Sequence, residues 1–504
     1  MFLFSGSPSE EKAGVMQFET LLKKVAKGLM VRTDSRQVQP GECFVAMPGT
    51  QVRGIDFIPS ALDKGAKYIV APESDREQLA PVIEKRAQVV YHENPAVALG
   101  ELARQYFRVM DRDLKLVGIT GTNGKTTTTY LLEHLLQSAG LKVGVIGTVN
   151  YRWPGFEIHA SRTTPDCWMI HELLYNMKKA DVDIAIMEVS SHALVQHRVA
   201  GLEFEAAVMT NLTQDHLDYH HDMETYFQAK RMLFTSYLKE GKAGIFNYND
   251  SFGRRLLAEC DGGIGYGIGQ TGIVRQEVGD KPMVQGTILE ANGKGMHLKV
   301  DFKGNSWEIE SPLIGGFNAM NLLGAQAVAL QLGLGSKDMR RMKDFHGVPG
   351  RLERVPNDKG LDIFVDFAHT PDALENVQRT LKQLDFKRLI TVFGCGGDRD
   401  KTKRPIMAQS VAKYADVAVL TSDNPRSEVP EAIMDDARPG LEGAKEIMEN
   451  PNRRAAIRMA INEMNPGDAV LIAGKGHEDY QVLKDETIHF SDVEEAAKAI
   501  EERQ

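Results

Sequence analysis

The stretch Gly121-Thr122-Asn123-Gly124-Lys125-Thr126-Thr127 has the residue types and spacing needed to hold a polyphosphate. Glycines let backbone N–H groups crowd around phosphate oxygens, Lys125 supplies a point charge, and the Thr126 hydroxyl suits Mg²⁺. The usual pattern has a glycine five residues before the Gly-Lys pair, where this chain has Ile119; Gly118 and Gly121 stand in, making a variant loop. ATP or GTP is the predicted ligand. The elements that must position the loop are legible on either side. Leu116–Thr120 reads as a buried strand, and Leu131, Leu132, Leu135 and Leu136 give the segment Thr126–Ser138 helical spacing.

Further apolar runs at Lys142–Ile146, Ile184–Val189, Ala206–Thr210 and Ala243–Phe246 alternate with helical segments, the signature of a parallel sheet with crossover helices. Ligands collect at the carboxyl ends of such strands. Two ends carry chemistry here: Glu188, followed by Ser190-Ser191-His192, and Asn211-Leu212-Thr213-Gln214-Asp215-His216. A carboxylate and an imidazole beside a phosphate loop suit a second Mg²⁺ or Mn²⁺ bridging nucleotide and substrate.

The same logic applies further along. Strands are expected at Asp362–Asp366, Arg388–Gly394, Val417–Thr421 and Ala469–Gly474, and every one runs into a polar cluster. The clusters read Asp366-Phe367-Ala368-His369, Gly394-Cys395-Gly396-Gly397-Asp398-Arg399, Asp423-Asn424-Pro425-Arg426 and Gly474-Lys475-Gly476-His477-Glu478. Their equivalent positions predict one site, and a reaction in a cleft between two α/β domains.

Bulk properties bound what such sites can serve. A chain of 504 residues exceeds one hydrophobic core and predicts about three domains. The net charge of −9 argues against a nucleic-acid or anionic-membrane binder. No apolar run reaches the length of a membrane span, and Met1-Phe2-Leu3-Phe4 lacks the charged start of a signal peptide. Residues before Met16 read as a loose extension, with Met16 an alternative start. Cys43, Cys167, Cys260 and Cys395 are widely separated, so neither a disulfide framework nor a Cys-zinc site is expected, and a reducing cytoplasm is the predicted home.

Residues 1–112 read as a small α/β domain, with a helix near Phe18–Lys27, a strand at Cys43–Ala46, apolar pairs at Ile69-Val70 and Val89-Val90, and a helix around Ala98–Phe107. Its Asp34-Ser35-Arg36 turn offers groups suited to a phosphate or nucleotide, although surface turns of that composition are common. Asp111-Arg112-Asp113 is the expected linker into a central domain, residues 113–346, and a third unit follows at 347–504. Between Gly262 and Val300 an antiparallel edge or insert is expected, with Ala291–Gly295 as a hairpin turn between Thr287–Glu290 and Met296–Val300. Gly315-Gly316-Phe317-Asn318-Ala319-Met320-Asn321 opens a helix to Leu332, with Asn318 and Asn321 on one face, as purine-reading amides or as caps.

Taken together, the phosphate loop, Glu188-Val189-Ser190-Ser191-His192, Gly316-Phe317-Asn318-Ala319-Met320-Asn321, Asp366-Phe367-Ala368-His369-Thr370-Pro371 and Asp423-Asn424-Pro425-Arg426 resemble the Mur ligase family, in order and across essentially the whole chain beyond Met16. The resemblance implies an N-terminal uridine-nucleotide-binding domain, a central ATPase domain with a parallel sheet and a C-terminal Rossmann-like domain. It implies an ATP-dependent, Mg²⁺-requiring ligase of peptidoglycan precursor synthesis, a cytoplasmic monomer whose partners are ATP, UDP-N-acetylmuramoyl-L-alanyl-D-glutamate and meso-2,6-diaminopimelate. Lysine-adding relatives and folylpolyglutamate synthetase are the neighbouring readings, and outside the ligases a phosphate-loop NTPase switch.

Site residues transfer position by position. ATP would meet Gly121, Thr122, Asn123, Gly124, Lys125, Thr126, Thr127, Asn318 and Asn321. Thr126 and Glu188 would hold one metal position and His216 the second, while Lys230 matches a family lysine that carries a carbamate, an anionic ligand suited to a hard cation. Composition alone makes Lys230 a solvated helix lysine. Thr33, Ser35, Thr50, Gln51 and Val52 align with the uridine site, and Thr163, Thr164, Ser190, Gln196 and Arg198 with contacts to the muramoyl dipeptide; Arg162 stands where relatives can have asparagine. Arg399, Asp423, Asn424, Pro425, Arg426, Gly474 and Glu478 match the diaminopimelate pocket. An arginine fork pairs with a carboxylate, and diaminopimelate has a distal carboxylate that lysine lacks.

Overall fold

The computed structural model describes residues 13–49, 52–109, 114–269 and 271–503. Thr50 and Gln51, expected at a uridine site, lie outside them. The described chain is α/β throughout and divides into two compact units. One comprises the chain up to Lys125 with Gly140–Ile245 and Arg255–Gly263; the other comprises Thr126–Ala139, Phe246–Arg254 and the chain from Ile264 onward.

The first unit holds an all-parallel five-stranded sheet, in the order Gly14–Val15, Gln88–His92, Tyr68–Pro72, Cys43–Val45, Val31–Arg32. Its central strands are buried on both faces. Val31, Cys43, Val45, Tyr68, Val70 and Val90 point to one core and Phe44, Ala46, Ile69, Ala71 and Val89 to the other. Gly100, in the helix Pro95–Phe107, packs so closely that a Cβ there would lie 2.3 Å from that of Ala200.

A second set of strands in this unit runs Ala206–Met209, Lys115–Thr120, Ile184–Glu188, Val143–Ile146, all parallel, and ends in an antiparallel hairpin, Asn150–Trp153 with Phe156–His159. Register decides what happens at their carboxyl ends: Glu188 pairs with Ile119, and Met209 with Thr120. Glu188 and the loops after Glu188 and Met209 are therefore level with the start of the Gly121–Lys125 turn.

In the second unit Ile264–Ile268 pairs in parallel with Met283–Asn292, which continues antiparallel through Gly295–Phe302 to Asn305–Ser311. The expected hairpin is present. The first pairing differs from the antiparallel expectation, because the helix Thr271–Val278 supplies the crossover that a parallel pair needs.

The C-terminal sheet of this unit runs Glu353–Arg354, Asp362–Asp366, Ala469–Ala473, Leu389–Cys395, Val417–Ser422, Ile447–Asn450, parallel except at its first strand. Alternation sorts its side chains by shape. Ile363, Val365, Ile390, Val392, Val417, Val419, Val470 and Ile472 face the helices Arg453–Glu463 and Asp492–Glu502. Phe364, Phe393, Leu420 and Leu471 face Pro371–Lys382, Lys403–Tyr414 and Pro430–Ala437. β-branched residues thus dominate one face, while the other mixes Phe and Leu with Ala418, Ala469 and Ala473, and the parallel sheet is covered on both sides.

Candidate active site

Two glycines with positive φ, Gly121 at 144° and Gly124 at 82°, shape the loop after Lys115–Thr120. A Cβ at Gly121 would lie 1.8 Å from the Thr210 hydroxyl, so only glycine fits against that strand end. The neighbouring Asn211 braces the loop: its carbonyl accepts from Thr122 N at 2.9 Å and its side-chain oxygen from Asn123 N at 3.0 Å. Thr210 Oγ1 donates to Asn123 O at 2.6 Å. Lys125 folds back, its ammonium donating to the carbonyls of Gly121 and Thr122, each at 2.9 Å. Thr126 and Thr127 follow, buried in the first turn of the helix Lys125–Ser138.

Lys230, in the helix Met223–Thr235, reaches the same loop. It is 1% exposed and donates to Gly121 O at 3.0 Å, with its nitrogen 4.7 Å from the centre of the Tyr226 ring. Burial, reinforced by the Lys125 charge, pushes its ammonium well below the usual lysine range and favours the neutral amine. Glu188, 1% exposed, accepts from Thr148 N at 3.2 Å and from Thr148 Oγ1 at 2.7 Å. His216 has left-handed backbone, with φ 53°. Desolvation lowers its imidazole, with Lys230 and Lys125 acting in the same sense, so the neutral, lone-pair-bearing ring is favoured.

Around these residues lies a cluster that spacing did not reveal. The His192 ring sits 4.8 Å from His216, 4.1 Å from Tyr219 and 5.5 Å from His220, and His220 stacks on Tyr226 at 4.9 Å. His220 Nε2 lies 2.9 Å from Ser191 Oγ. In the sequence the Ser190-Ser191-His192 and Asp215-His216 strand ends pointed to it, and His220 did not. Among the described residues no three His, Cys, Asp or Glu side chains converge as a metal site. The candidate donors are of mixed kinds, namely a hydroxyl, a carboxylate, an imidazole and a lysine, and a hard cation there fits best if the lysine carries added anionic oxygen.

The residues expected at the muramoyl dipeptide converge on Glu188. Thr164 Oγ1 donates to Glu188 O at 2.8 Å and accepts from Ser190 N at 3.0 Å. The Thr163 hydroxyl lies 3.1 Å from that of Thr148. Arg198 donates to Thr164 O at 2.7 Å and forks onto Gln196 Oε1 at 2.7 and 3.1 Å. Arg162 is exposed, with its main chain bonded to the Tyr151 phenol. In the N-terminal sheet region Thr33 and Val52 are exposed, while Ser35 is buried and opens a short 3₁₀ turn capped by Asp34. Arg36 pairs with Asp34 at 2.8 Å.

In the second unit Asn318 and Asn321 are buried in the helix Gly316–Gln331. Their amides form a ladder: Asn318 Nδ2 donates to Ile314 O at 2.9 Å, and Asn321 Nδ2 donates to Asn318 Oδ1 at 3.0 Å. Asn321 Oδ1 lies 3.5 Å from Thr128 Oγ1. Gly315, not an asparagine side chain, takes the cap position.

The C-terminal strand ends form a connected set. Asn424 Nδ2 donates to Glu478 Oε2 at 3.0 Å, and Gly397 N donates to Asn424 O at 2.9 Å. Arg426, with φ 51°, spends Nη1 on Gly397 O at 2.7 Å. Gly474 needs its φ of 121°, and a Cβ there would lie 2.7 Å from Asp423 Oδ2. Gln481 Nε2 donates to Asp423 O at 2.6 Å, and Gly397 packs against Pro425 O, 1.9 Å from where its Cβ would stand. Arg399 is exposed and makes no hydrogen bond or ion pair among the described residues. Beneath the loops Arg453, 1% exposed, pairs with Asp492 at 2.6 Å and donates to Ala473 O at 3.0 Å and Ser422 O at 3.4 Å, the last residues of two strands.

A phosphate loop between a parallel strand and a helix, with a carboxylate and an imidazole at neighbouring strand ends, defines a nucleotide-binding α/β protein. Family patterns narrow the class: the Mur ligase family catalytic domain matches residues 29–107, the Mur ligase middle domain 119–329, and the Mur ligase glutamate ligase domain 350–476. The chain belongs to the Mur ligase family. It is 48% identical over 466 residues, 92% of this chain and 95% of the relative, to UDP-N-acetylmuramoyl-L-alanyl-D-glutamate–2,6-diaminopimelate ligase of Lawsonia intracellularis. It is 44% identical over 480 residues, 94% of each chain, to the protein of that name from Synechococcus elongatus. A solved structure of a ligase of that name aligns with a TM-score of 0.67 and 30% identity, covering 100% of this chain and 97% of the other.

Proposed function

We propose that the chain is an ATP-dependent ligase that joins meso-2,6-diaminopimelate to the D-glutamyl side-chain carboxyl of UDP-N-acetylmuramoyl-L-alanyl-D-glutamate, in peptidoglycan precursor synthesis. The observation that carries this reading is the 48% identity, over nearly the whole of both chains, to a ligase of that name. The three-domain division at 1–112, 113–346 and 347–504, a monomeric state and a cytoplasmic location belong to the same proposal.

In this reading the carboxylate of the D-glutamyl residue attacks the γ-phosphorus of ATP, giving an acyl phosphate and ADP. The diaminopimelate amine then attacks the acyl carbon, loses a proton, and expels phosphate to leave an amide. Backbone N–H groups of Gly121–Lys125 and the Lys125 ammonium hold the phosphates, and most of the catalysis is positioning and charge stabilisation. Lys125 must leave its loop carbonyls to do so, since its ammonium is folded onto them. Thr163, Thr164, Ser190, Gln196 and Arg198 orient the dipeptide; Asn318 and Asn321 serve the adenine side. Thr33, Ser35 and the segment around Val52 serve the uridine.

The residues proposed for Mg²⁺ are Thr126, Glu188, His216 and Lys230 as its carbamate; bound Mg²⁺ neutralises charge on the phosphates. Burial shifts Lys230 towards its neutral amine, the form that adds to carbon dioxide, and this supports the carbamate. For the amino acid, the Nε and Nη2 edge of Arg426, which carries no hydrogen bond among the described residues, suits a distal carboxylate, with Arg399, Asn424 and Glu478 beside it.

The test is ATP-dependent phosphate release with UDP-N-acetylmuramoyl-L-alanyl-D-glutamate and meso-diaminopimelate, L-lysine or no amino acid, with the product mass measured. Release with a tripeptide mass only in the diaminopimelate tube is expected. Preference for lysine would refute the pocket, and equal release in all three tubes would refute the ligase.

A further inference from the structure

Lys475 is 0% exposed, and the glycines on either side explain how it comes to be so. Gly474 and Gly476 have φ of 121° and 53°, and a Cβ at Gly476 would stand 2.6 Å from that of Phe367. The chain can therefore turn sharply after the strand Ala469–Ala473 and send the lysine inward. Its ammonium donates to Asn424 Oδ1 at 3.1 Å and to Glu478 Oε2 at 3.3 Å, and lies 5.5 Å from the centre of the Tyr480 ring.

A methionine would fill that space without desolvating a charge, so the lysine must be accounted for by what it holds. Asn424 Oδ1 accepts from both Lys475 Nζ and Val482 N, the latter at 2.9 Å. Two donors on one oxygen fix which end of the amide is the acceptor, and so turn Asn424 Nδ2 onto Glu478 Oε2. Glu478 in turn has Lys475 and Asn424 on the same oxygen, which sets its rotamer and compensates its charge.

We propose that Lys475 is a positioning residue for the amino-acid substrate: it orients the Asn424 amide and the Glu478 carboxylate so that a zwitterionic end of the substrate meets a carboxylate beside the Arg426 guanidinium. This rests on the ligase reading given above. Lys475 touches no substrate; it acts through Asn424 and Glu478.

The test is steady-state kinetics of the full chain and of Lys475→Met, varying diaminopimelate, ATP and the UDP-linked dipeptide in turn. Lys475→Met is expected to raise KM for diaminopimelate about 10- to 100-fold, with kcat within about threefold and the other two KM values within about twofold. Glu478→Gln/Lys475→Met is expected to lose less than the product of the two single losses, because the lysine acts in part through that carboxylate. Lys475→Gln keeps a donor for Asn424 and is expected to fall between, and it carries the same criteria where Lys475→Met does not fold. An unchanged KM for diaminopimelate, an equal rise for all three substrates, or losses that multiply in the double variant would each overturn the proposal. Absence of diaminopimelate-dependent turnover in the unaltered chain would overturn the ligase reading and this inference with it.

Discussion

Lys230 Nζ donates to the Gly121 carbonyl at 3.0 Å, tying the helix Met223–Thr235 to the phosphate loop through a side chain with 1% exposure. A solvated ammonium would not be placed there, because burial beside Lys125 disfavours its charge. Lys230→Met keeps the bulk and removes the amine. It is expected to lower kcat on the order of 100-fold, the scale at which loss of one preorganised charge-stabilising group is felt. Buffers stripped of carbon dioxide should lower activity, and bicarbonate should restore it; turnover of Lys230→Met at the unaltered rate would refute both the role and the carbamate.

Gly121 offers a sharper structural test. Alanine there would need a φ of 144° and would drive its Cβ to 1.8 Å from Thr210 Oγ1. Gly121→Ala is expected to destabilise the fold by about 1–3 kcal/mol and to abolish stabilisation by ATP. Thermal unfolding with and without nucleotide reads both effects, and a preserved nucleotide-induced rise in Tm would contradict the loop geometry.

Acid stability should depend on His171, which is 0% exposed and whose Nε2 lies 3.0 Å from Ala200 O. Burial pushes its imidazole down to about 4 from the usual 6.5. The unfolded chain binds the extra proton first, so the neutral ring's contribution is complete above pH 6.5 and is lost as pH falls towards 4. The loss for this one group is roughly 3 kcal/mol. His171→Gln retains a donor for Ala200 O and does not titrate, so its denaturation midpoint should fall less between pH 7 and pH 4 than that of the unaltered chain. Parallel pH dependences would show that His171 is not the group responsible.

Discrimination between diaminopimelate and lysine should rest on Arg426. Truncation to Arg426→Ala is expected to lower kcat/KM for diaminopimelate by about 10- to 100-fold, the range for losing a hydrogen-bonded charge partner, while the value for L-lysine changes little. The ratio of the two specificity constants is the measurement. A uniform loss with both amino acids would assign Arg426 to holding Gly397 rather than to reading a carboxylate.

What could be read from the chain depended on whether a residue's surroundings are local. The strand Asp362–Asp366 is found where its apolar run stands, and Ile184–Glu188 within one residue of it. Their β-branched and apolar residues declare double burial by themselves. The hairpin Asn150–Trp153 with Phe156–His159 was missed although Pro154-Gly155 marks a turn, because its strands are only four residues long and the outer one is exposed on both faces. Lys230, Lys475 and Arg453 look like ordinary surface cations in sequence, and their burial follows from residues more than 30 positions away: Gly121, Asn424 and Asp492. The same limit hid His220 and the ring contacts joining it and His216 to His192, although the two strand ends that bear His192 and His216 were legible.

Arg453 is bonded to the last residues of two strands, Ser422 and Ala473, and is neutralised by Asp492 in a pair with 0% exposure on both sides. The loops bearing Arg426 and Glu478 thus hang from one shared strut, while Arg399 is exposed on a third. Divergence towards another amino acid can proceed by exchanging side chains on the loops without recutting the frame. A change at Arg453 moves both loops at once and costs the protein its old substrate before it has gained a new one, so natural variation in specificity should be found around this pair rather than in it.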